Sequence, residues 1–197
     1  MKGGKAGVRE KQARSAEEAY QAFCAGEQEA FDQLMEEFQQ PLIYFLHGYV
    51  RSLDAAEDLA EETFVELLLH KGRFRGQSAF KTYLFSVARH KAIDHMRREQ
   101  RRFALPLDEI AERSDDSMGP EELCLAQEKA QTIARTIGEL PWEYREVLRL
   151  IYLEHLTYSD IARIMHKTPK QIDNLAYRAR QSLRAALGKE EDILEKF

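Results

Sequence analysis

Residues 157–187, TYSDIARIMHKTPKQIDNLAYRARQSLRAAL, decide more of the fold than any other stretch of the chain. The first part predicts a short helix that starts at Thr157 and ends near Met165. Thr168-Pro-Lys-Gln171 then combines a capping box with proline at the first helical position, and Gly188 is placed to end the helix that follows. Two helices joined by a short turn predict a helix-turn-helix motif.

The outward side of the second helix carries residue types that can contact DNA. Arg and Lys can bind phosphates or guanine edges, and Asn or Gln can read adenine. Residues 163–184 hold six Lys or Arg and one acid. A solvated amphipathic helix of an ordinary bundle is an equally good interpretation of the motif alone. On the DNA-binding interpretation, the helix presents Lys170, Asn174, Tyr177, Arg178 and Gln181.

Toward the N-terminus the sequence also has helical periodicity. Apolar residues at helical spacing predict a helix over 27–40, with Pro41 in the first turn of the next helix. Asp54-Ala-Ala-Glu57 has the form of a capping box, which predicts a helix that continues to about Leu69. No segment shows the alternation of a strand, so these residues indicate a helical bundle.

The middle of the chain adds three more helix starts. Ser78 is the expected N-cap of a long helix that runs to Arg102. Pro120 and Pro141 each suit the first turn of a helix, and Gly138 suits the end of the first of these two. Between the long helix and Pro120 the sequence is acidic and polar without periodicity, which is typical of a linker.

The predicted fold is all-α, with two small helical domains joined by an acidic flexible linker and the helix-turn-helix in the C-terminal domain. The predicted boundaries are a basic N-terminal tail at 1–20, a first domain at 21–103, a linker at 104–120, a second domain at 121–190 and a C-terminal tail at 191–197.

Charge is segregated along the chain. The formal net charge of −5 would by itself disfavour nucleic-acid binding. Residues 54–66 hold six acids and no base, whereas residues 89–102 hold six Lys or Arg and two acids. The acidic helix face is typical of a solvated surface, and its functional alternative is a protein-docking face. The aromatic and basic segment at 80–102 is either core or a surface for phosphates and unstacked bases.

Neither a catalytic nor a metal-binding motif is present in the sequence. His90 and His95 are five residues apart, which does not bring both to one metal on a helix. The sequence has no HExxH, no phosphate-binding glycine loop and no Ser/His/Asp arrangement. We therefore expect no catalytic residues, no metal and no cofactor. The longest apolar stretch, 41–50, falls far short of the ~20 residues that span a bilayer.

Three segments occur in an order that resembles one known family. DAAEDLAEETFVELL at 54–68, FKTYLFSVARHKAIDHMRREQRR at 80–102 and the C-terminal segment from Glu139 to Leu187 resemble the polymerase-docking, promoter-melting and minus-thirty-five regions of bacterial RNA polymerase sigma factors. The similarity is to the sigma-70 family, and within it to the extracytoplasmic function (ECF) group. It implies a non-enzymatic factor that directs core RNA polymerase to promoters.

The resemblance also implies a role for individual positions. Core polymerase docking falls to Asp54, Glu57, Asp58, Glu61, Glu62 and Phe64. The resemblance implies that the loop at 73–78 captures a flipped base of the minus-ten element. The residues implied to contact this element are Arg73, Arg75, Phe80, Lys81, Tyr83, Arg89, His90, Arg97, Arg98 and Arg101. The minus-thirty-five element falls to Thr168, Lys170, Gln171, Asn174, Tyr177, Arg178, Arg180 and Gln181.

The implied partners are core RNA polymerase, through its clamp helices and flap, promoter DNA, and an anti-sigma factor that clamps both domains. The implied location is the cytoplasm, with no membrane contact of the chain's own. Two other functions are compatible with the residues. One is a stand-alone helix-turn-helix transcription regulator whose purified form binds an operator tightly. The other is a helical adaptor that never contacts DNA.

Overall fold

The computed structural model of the chain describes residues 14–103 and 136–187, and every regular element in these two ranges is an α-helix. The N-terminal range contains α1 (Ala16–Cys24), α2 (Gln28–Val50), α3 (Leu53–Leu69) and α4 (Phe80–Phe103). The C-terminal range opens with a helical turn at 136–139 and continues with α5 (Trp142–Tyr152), α6 (Tyr158–Met165) and α7 (Pro169–Leu187). The predicted all-α fold in two domains is confirmed.

Some predicted features lie outside the described residues. These are the linker at 104–120, most of the helix predicted from Pro120, the glycine at 188 and the tail at 191–197. Within the described part, the predicted end of α3 at Leu69 is confirmed, and α4 ends one residue after the predicted Arg102.

Helix α1 begins inside the stretch that the sequence suggested was tail. Ser15 accepts a hydrogen bond from the Glu18 amide, and the Glu18 carboxylate accepts one from the Ser15 amide, so a complete capping box starts the helix. Ala19 and Tyr20 are buried against the rest of the domain. Residues 16–20 therefore belong to the folded domain, and the predicted boundary at residue 20 is corrected to Ser15.

Pro41 does not separate two helices. Helix α2 runs without interruption through it, although proline lacks an amide donor and crowds the preceding turn. Buried side chains continue along one face on both sides of it, from Leu34 and Phe38 to Leu42 and Leu46. Burial of this continuous apolar face offsets the cost of the missing hydrogen bond, which we estimate at about 3 kcal/mol including the ring's clash.

The starts of α3 and α4 also differ from the predicted caps. Ser52, not Asp54, caps α3, because its hydroxyl accepts from the Ala55 amide at 3.3 Å. Ser78 does not cap α4, since its hydroxyl donates to the Ala79 carbonyl. The Glu17 carboxylate of α1 instead accepts the Phe80 amide at 2.7 Å. A side chain from another helix thus accepts a hydrogen bond from a backbone amide in the first turn of α4, which has no partner within the helix.

The N-terminal domain packs α1, α2, α3 and α4 around aromatic side chains. Phe38, Phe80 and Phe85 are at most 5% exposed, and Phe80 lies between Tyr20 and Phe38 with ring centroids 5.2 and 5.7 Å apart. Offset and edge-to-face aromatic contacts of this kind add to the free energy gained by burying the rings. These rings join α1, α2 and α4, and Phe64 of α3 joins the core through Phe31 of α2.

The C-terminal domain contains the predicted helix-turn-helix. Thr157 caps α6 by accepting from the Asp160 amide, and Thr168 and Gln171 form the predicted capping box at the start of α7. His166 ends α6 in the left-handed conformation at φ 53°, which lets the chain turn sharply into α7. The motif predicted at 157–187 is confirmed. No helix in the described residues is both long and apolar enough to cross a membrane.

Candidate docking and DNA-binding surfaces

The carboxylates of α3 form one outward surface. Asp54, Glu57, Asp58, Glu61 and Glu62 are all exposed, and Ala56, Leu59 and Thr63 of the same helix are buried. Lys91 of α4 approaches Glu62 to 3.6 Å, but no cation among the described residues pairs with the other four. We call these five side chains the carboxylate face. A fixed row of exposed anions suits a cationic protein surface.

The loop between α3 and α4 is fixed by one inserted ring. Phe74 packs against Tyr20, Phe80 and Tyr83 with centroid distances of 5.4, 5.6 and 5.2 Å. The Tyr20 hydroxyl accepts the Gly72 amide, and Gly72 has a φ of +79° that a side chain would strain. Arg73, Arg75 and Gln77 remain exposed. The loop at 70–79 is therefore a rigid rim with an outward polar edge.

Helix α4 carries a basic surface along its C-terminal half. His90, Arg97, Arg98 and Arg101 are exposed at positions that recur with helical spacing. Asp94 approaches His90 to 3.6 Å and Arg97 to 3.7 Å, so it offsets part of this charge. The surface is suited to a phosphate backbone.

Helix α7 presents a second basic surface, on the outward side of the helix-turn-helix. Lys170, Asn174, Tyr177 and Arg178 are exposed, and the Tyr177 hydroxyl accepts from the Gln181 amide group at 2.7 Å. Ile172, Ala176, Ala179 and Leu183 are buried on the opposite side. Thr168 and Gln171 are exposed but engaged in the capping box, so they position the start of the helix. The geometry is that of a helix free to enter a major groove.

Comparison with known proteins finds two family matches in the chain. Residues 34–102 match the family described as Sigma-70 region 2, and residues 130–183 match Sigma-70 region 4. The RNA polymerase sigma-H factor of Pseudomonas aeruginosa is 31% identical over 82% of this chain and 88% of its own length. The ECF RNA polymerase sigma-E factor of Escherichia coli is 31% identical over 80% of this chain and 86% of its own length.

The chain belongs to the sigma-70 family of RNA polymerase sigma factors. It falls in the ECF group, and as a sigma factor it directs RNA polymerase to promoters. Sigma factors are transcription initiation factors and not enzymes. Among solved structures, a sigma factor RpoE bound to the anti-sigma factor NepR from Bartonella quintana has the same fold, with a TM-score of 0.67, 22% identity and coverage of 81% of this chain and 98% of that chain. CnrH in complex with the cytosolic domain of CnrY has a TM-score of 0.65, 21% identity and coverage of 88% and 97%.

Within this sigma factor, Phe64 does not lie on the carboxylate face. Its ring is 3% exposed and packs edge-on against Phe31 at 6.1 Å, so it supports the helix from within the core. The apolar side chains that do reach the surface of α3 are Val65, Leu68 and Leu69, of which Leu69 is 72% exposed. Sequence analysis missed these three. The sequence did contain a usable signal, because these three residues are apolar while other apolar residues of the same helix already account for its buried face.

Among the side chains predicted for the minus-ten element, Phe80, Lys81 and Arg89 are buried or bound to the C-terminal domain, and the Arg73 guanidinium donates to the Glu66 carboxylate at 2.8 Å. Phe80 is fully buried, which is the core alternative left open by the sequence. Arg89 is 7% exposed and bonded to Glu146 of α5, and the Lys81 ammonium lies 2.7 Å from the Glu154 carboxylate. Tyr83 is partly exposed, and burial raises the pKa of its hydroxyl despite the opposing effect of Arg73.

Arg180 of the sigma factor faces its own domain, unlike its neighbour Arg178. Its guanidinium donates to the hydroxyls of Tyr152 and Tyr158, each at 2.8 Å. These bonds join α7 to α5 and to the start of α6. In the described conformation Arg180 is thus a link between helices, whereas Arg178 is exposed to a ligand.

Arg178→Ala and Arg180→Ala are expected to affect different properties, the first promoter binding and the second stability. Arg178→Ala should weaken promoter binding by the holoenzyme by about 1–3 kcal/mol and leave the free energy of unfolding within about 0.5 kcal/mol. Arg180→Ala should lower the free energy of unfolding by about 1–3 kcal/mol, because two charged hydrogen bonds are lost. Urea denaturation and promoter binding by the holoenzyme measure the two effects. Equal stability of both variants would contradict the assignment of Arg180.

Proposed function

We propose that this sigma factor docks on core RNA polymerase through the carboxylate face of α3. The exposure of these carboxylates, four of which have no cationic partner among the described residues, is the observation that supports the proposal most directly. The clamp helices of the polymerase are the proposed partner surface. Val65, Leu68 and Leu69 adjoin the charged row and would add apolar contact area, since large exposed apolar side chains in a cluster are typical of protein interfaces. The C-terminal domain would contact the polymerase flap.

The minus-ten element is proposed to contact the loop at 70–79 and the basic surface of α4. Arg73 and Arg75 stand at the rim, and His90, Arg97, Arg98 and Arg101 continue along the helix. A rigid rim can hold an unstacked base, and the cost of unstacking selects sequences that melt easily. Phe74 and Phe80 would then fix the conformation of the loop and would not contact DNA themselves.

The minus-thirty-five element is proposed to receive α7 in its major groove. Lys170 and Arg178 would bind phosphates or guanine edges, and Asn174 would read adenine. Tyr177 is 61% exposed and offers an apolar ring for a thymine methyl group. Asp173 lies on the same exposed side and would repel phosphate, which limits how the helix can be oriented.

The proposal extends to regulation and location. A structurally similar sigma factor was solved bound to an anti-sigma factor, and we propose a partner of that kind for this chain. The sigma factor would act by binding and positioning, without catalysis or cofactor. Its place would be the cytoplasm, where polymerase and promoter DNA meet.

Reconstitution with purified components tests this function. The sigma factor is mixed with bacterial core polymerase that lacks any sigma factor, and co-elution and run-off transcription are measured on fragmented DNA from the source organism. We expect a stable complex and discrete transcripts that require both components. Failure to co-elute with a core enzyme that binds a housekeeping sigma factor would overturn the proposal. Tight, polymerase-independent binding of duplex DNA would favour a stand-alone regulator.

A further inference from the structure

A single carboxylate stands on the basic surface of the helix-turn-helix. Residues 163–184 hold six Lys or Arg, and Asp173 is the only acid in that range. Asp173 is exposed, and its carboxylate has no hydrogen-bond or ion-pair partner among the described residues. An anion on a surface that faces phosphates lowers the affinity for every DNA sequence. Its position therefore calls for a favourable contact that offsets the repulsion.

The stability of α7 does not account for this carboxylate. Asp173 is the fifth residue of the helix, beyond the first turn in which an acid interacts favourably with the helix dipole. The capping box of Thr168 and Gln171 already caps the start of the helix. Aspartate is also a poorer helix former than most residue types. The exposed charge of Asp173 thus points to a contact outside the chain.

The packing of α7 fixes the side of the helix on which Asp173 lies. Ile172 and Ala176 are fully buried, and the helix packs against α5 and α6. On the exposed side, Asp173 stands next to Asn174 and one turn before Tyr177. Because the buried side cannot turn outward without exposing its apolar residues, these three side chains keep facing the same way.

Asp173 lies in the part of the helix that reaches base edges. In helix-turn-helix proteins the N-terminal residues of the second helix contact the bases in the major groove. Asp173 and Asn174 lie in the N-terminal third of the 19-residue helix α7. Tyr177 is 61% exposed, and its ring would shield a contact of Asp173 from water. Shielding of this kind strengthens a charged hydrogen bond.

Hydrogen-bond chemistry decides which base a carboxylate can contact in the major groove. Guanine presents the acceptors N7 and O6 there, and thymine presents the acceptor O4 beside a methyl group. Adenine presents its N6 donor next to the N7 acceptor, which repels a carboxylate. Cytosine presents its N4 amino group, which only donates. Cytosine is therefore the base that a carboxylate selects.

We propose that Asp173 is a specificity-determining residue that selects cytosine at one position of the minus-thirty-five element by accepting a hydrogen bond from the N4 amino group. The inference rests on the proposed entry of α7 into the major groove. The same carboxylate opposes binding of every sequence that lacks this donor, because it then faces phosphates and base acceptors only. Asp173 supplies discrimination, whereas Lys170 and Arg178 supply attraction.

Selection by the holoenzyme from a duplex library tests the proposal. The probe is a promoter found by run-off transcription, with every base pair of its minus-thirty-five element randomised. We expect the native holoenzyme to enrich cytosine at one position of one strand by at least about fivefold over guanine and thymine. In Asp173→Ala this enrichment should disappear while the other positions keep theirs. In Asp173→Asn it should move to adenine, because an amide can donate to N7 and accept from N6.

A thymine at the selected position gives a second readout. On that promoter Asp173→Ala should bind at least about threefold more tightly than the native holoenzyme, because no carboxylate then opposes the thymine O4. The matched control is Glu139→Ala, which removes the same charge from an exposed position of the same domain outside the helix-turn-helix. This control should keep the cytosine enrichment of the native holoenzyme. Urea denaturation checks that each variant is folded.

The outcomes separate the role of Asp173 from the proposed function. Enrichment at other positions without a preference for cytosine would overturn the role of Asp173 and leave α7 in the major groove. An unchanged cytosine preference in a folded Asp173→Ala variant, or its loss in Glu139→Ala as well, would do the same. The absence of any enriched position would overturn both the role of Asp173 and the proposed binding of α7 to the minus-thirty-five element.

Discussion

Replacing Asp58 and Glu61 together by lysine is expected to weaken binding of core RNA polymerase at least about 100-fold. Both carboxylates are exposed near the middle of the carboxylate face, and neither has a cationic partner among the described residues. Reversing two charges in a complementary interface replaces attraction by repulsion, which costs several kcal/mol. The free energy of unfolding should change little, because exposed charges contribute little to stability. Co-elution with core polymerase and fluorescence titration measure the loss.

The matched control reverses two other exposed acids. Asp32 and Glu36 lie on α2 and are exposed, so Asp32→Lys with Glu36→Lys changes the net charge by the same amount away from α3. This control should retain polymerase binding within about threefold, since only long-range charge is altered. Equal loss in both double variants would mean that net charge, and not the carboxylate face, governs docking. Full binding by a folded Asp58→Lys, Glu61→Lys variant would remove the assignment of α3.

Phe80→Ala is expected to lower the free energy of unfolding by about 3–5 kcal/mol, because a fully buried ring is removed from a packed site. This is a large part of the about 5–15 kcal/mol that stabilises an ordinary domain. Phe80 contacts Tyr20, Phe38 and Phe74, so its loss also releases the loop at 70–79. Urea denaturation measures the first effect. Faster hydrogen exchange at the Gly72 amide measures the second.

Tyr83→Phe provides the comparison for Phe80→Ala. In the part of the chain that the structure describes, the Tyr83 hydroxyl is buried without a hydrogen-bond partner, and its ring packs on Phe74. Removing the oxygen keeps the ring and relieves an unsatisfied group, so the free energy of unfolding should stay the same or rise by up to about 1 kcal/mol. A loss in Phe80→Ala no larger than that in Tyr83→Phe would contradict a central packing role for Phe80.

Local sequence signals predicted well wherever a few adjacent residues carry both the pattern and its cause. The helix-turn-helix is an example, since Thr168 and Gln171 satisfy each other's backbone amides without help from another helix. The outward position of Asp58 and Glu61 follows from the same kind of reasoning, because helical spacing separates them from Leu59 and Thr63. The division into docking, minus-ten and minus-thirty-five segments required the family resemblance in addition.

Prediction failed where a distant residue changed the local balance. Proline at 41 is a good start for a helix in isolation, yet the apolar face shared across it keeps α2 continuous. Ser78 is a suitable cap by residue type, but the Glu17 carboxylate accepts the hydrogen bond from the Phe80 amide at the start of α4 instead. The contact of Arg180 with the minus-thirty-five element stays a prediction, but no local signal indicated that Tyr152 and Tyr158, far away in sequence, accept hydrogen bonds from its guanidinium.

The sequence by itself determined the all-α class, the helix-turn-helix, the carboxylate face and the order of the segments, because each depends on residue types at short spacing. Only the tertiary structure decided that Phe64 and Phe80 are core, that Phe74 fixes the loop at 70–79, and that Arg89 is buried against Glu146. These last features depend on which helices pack together. A helical period shows that a side chain lies on one face, but the identity of the surface opposite that face comes from contacts between residues far apart in the chain.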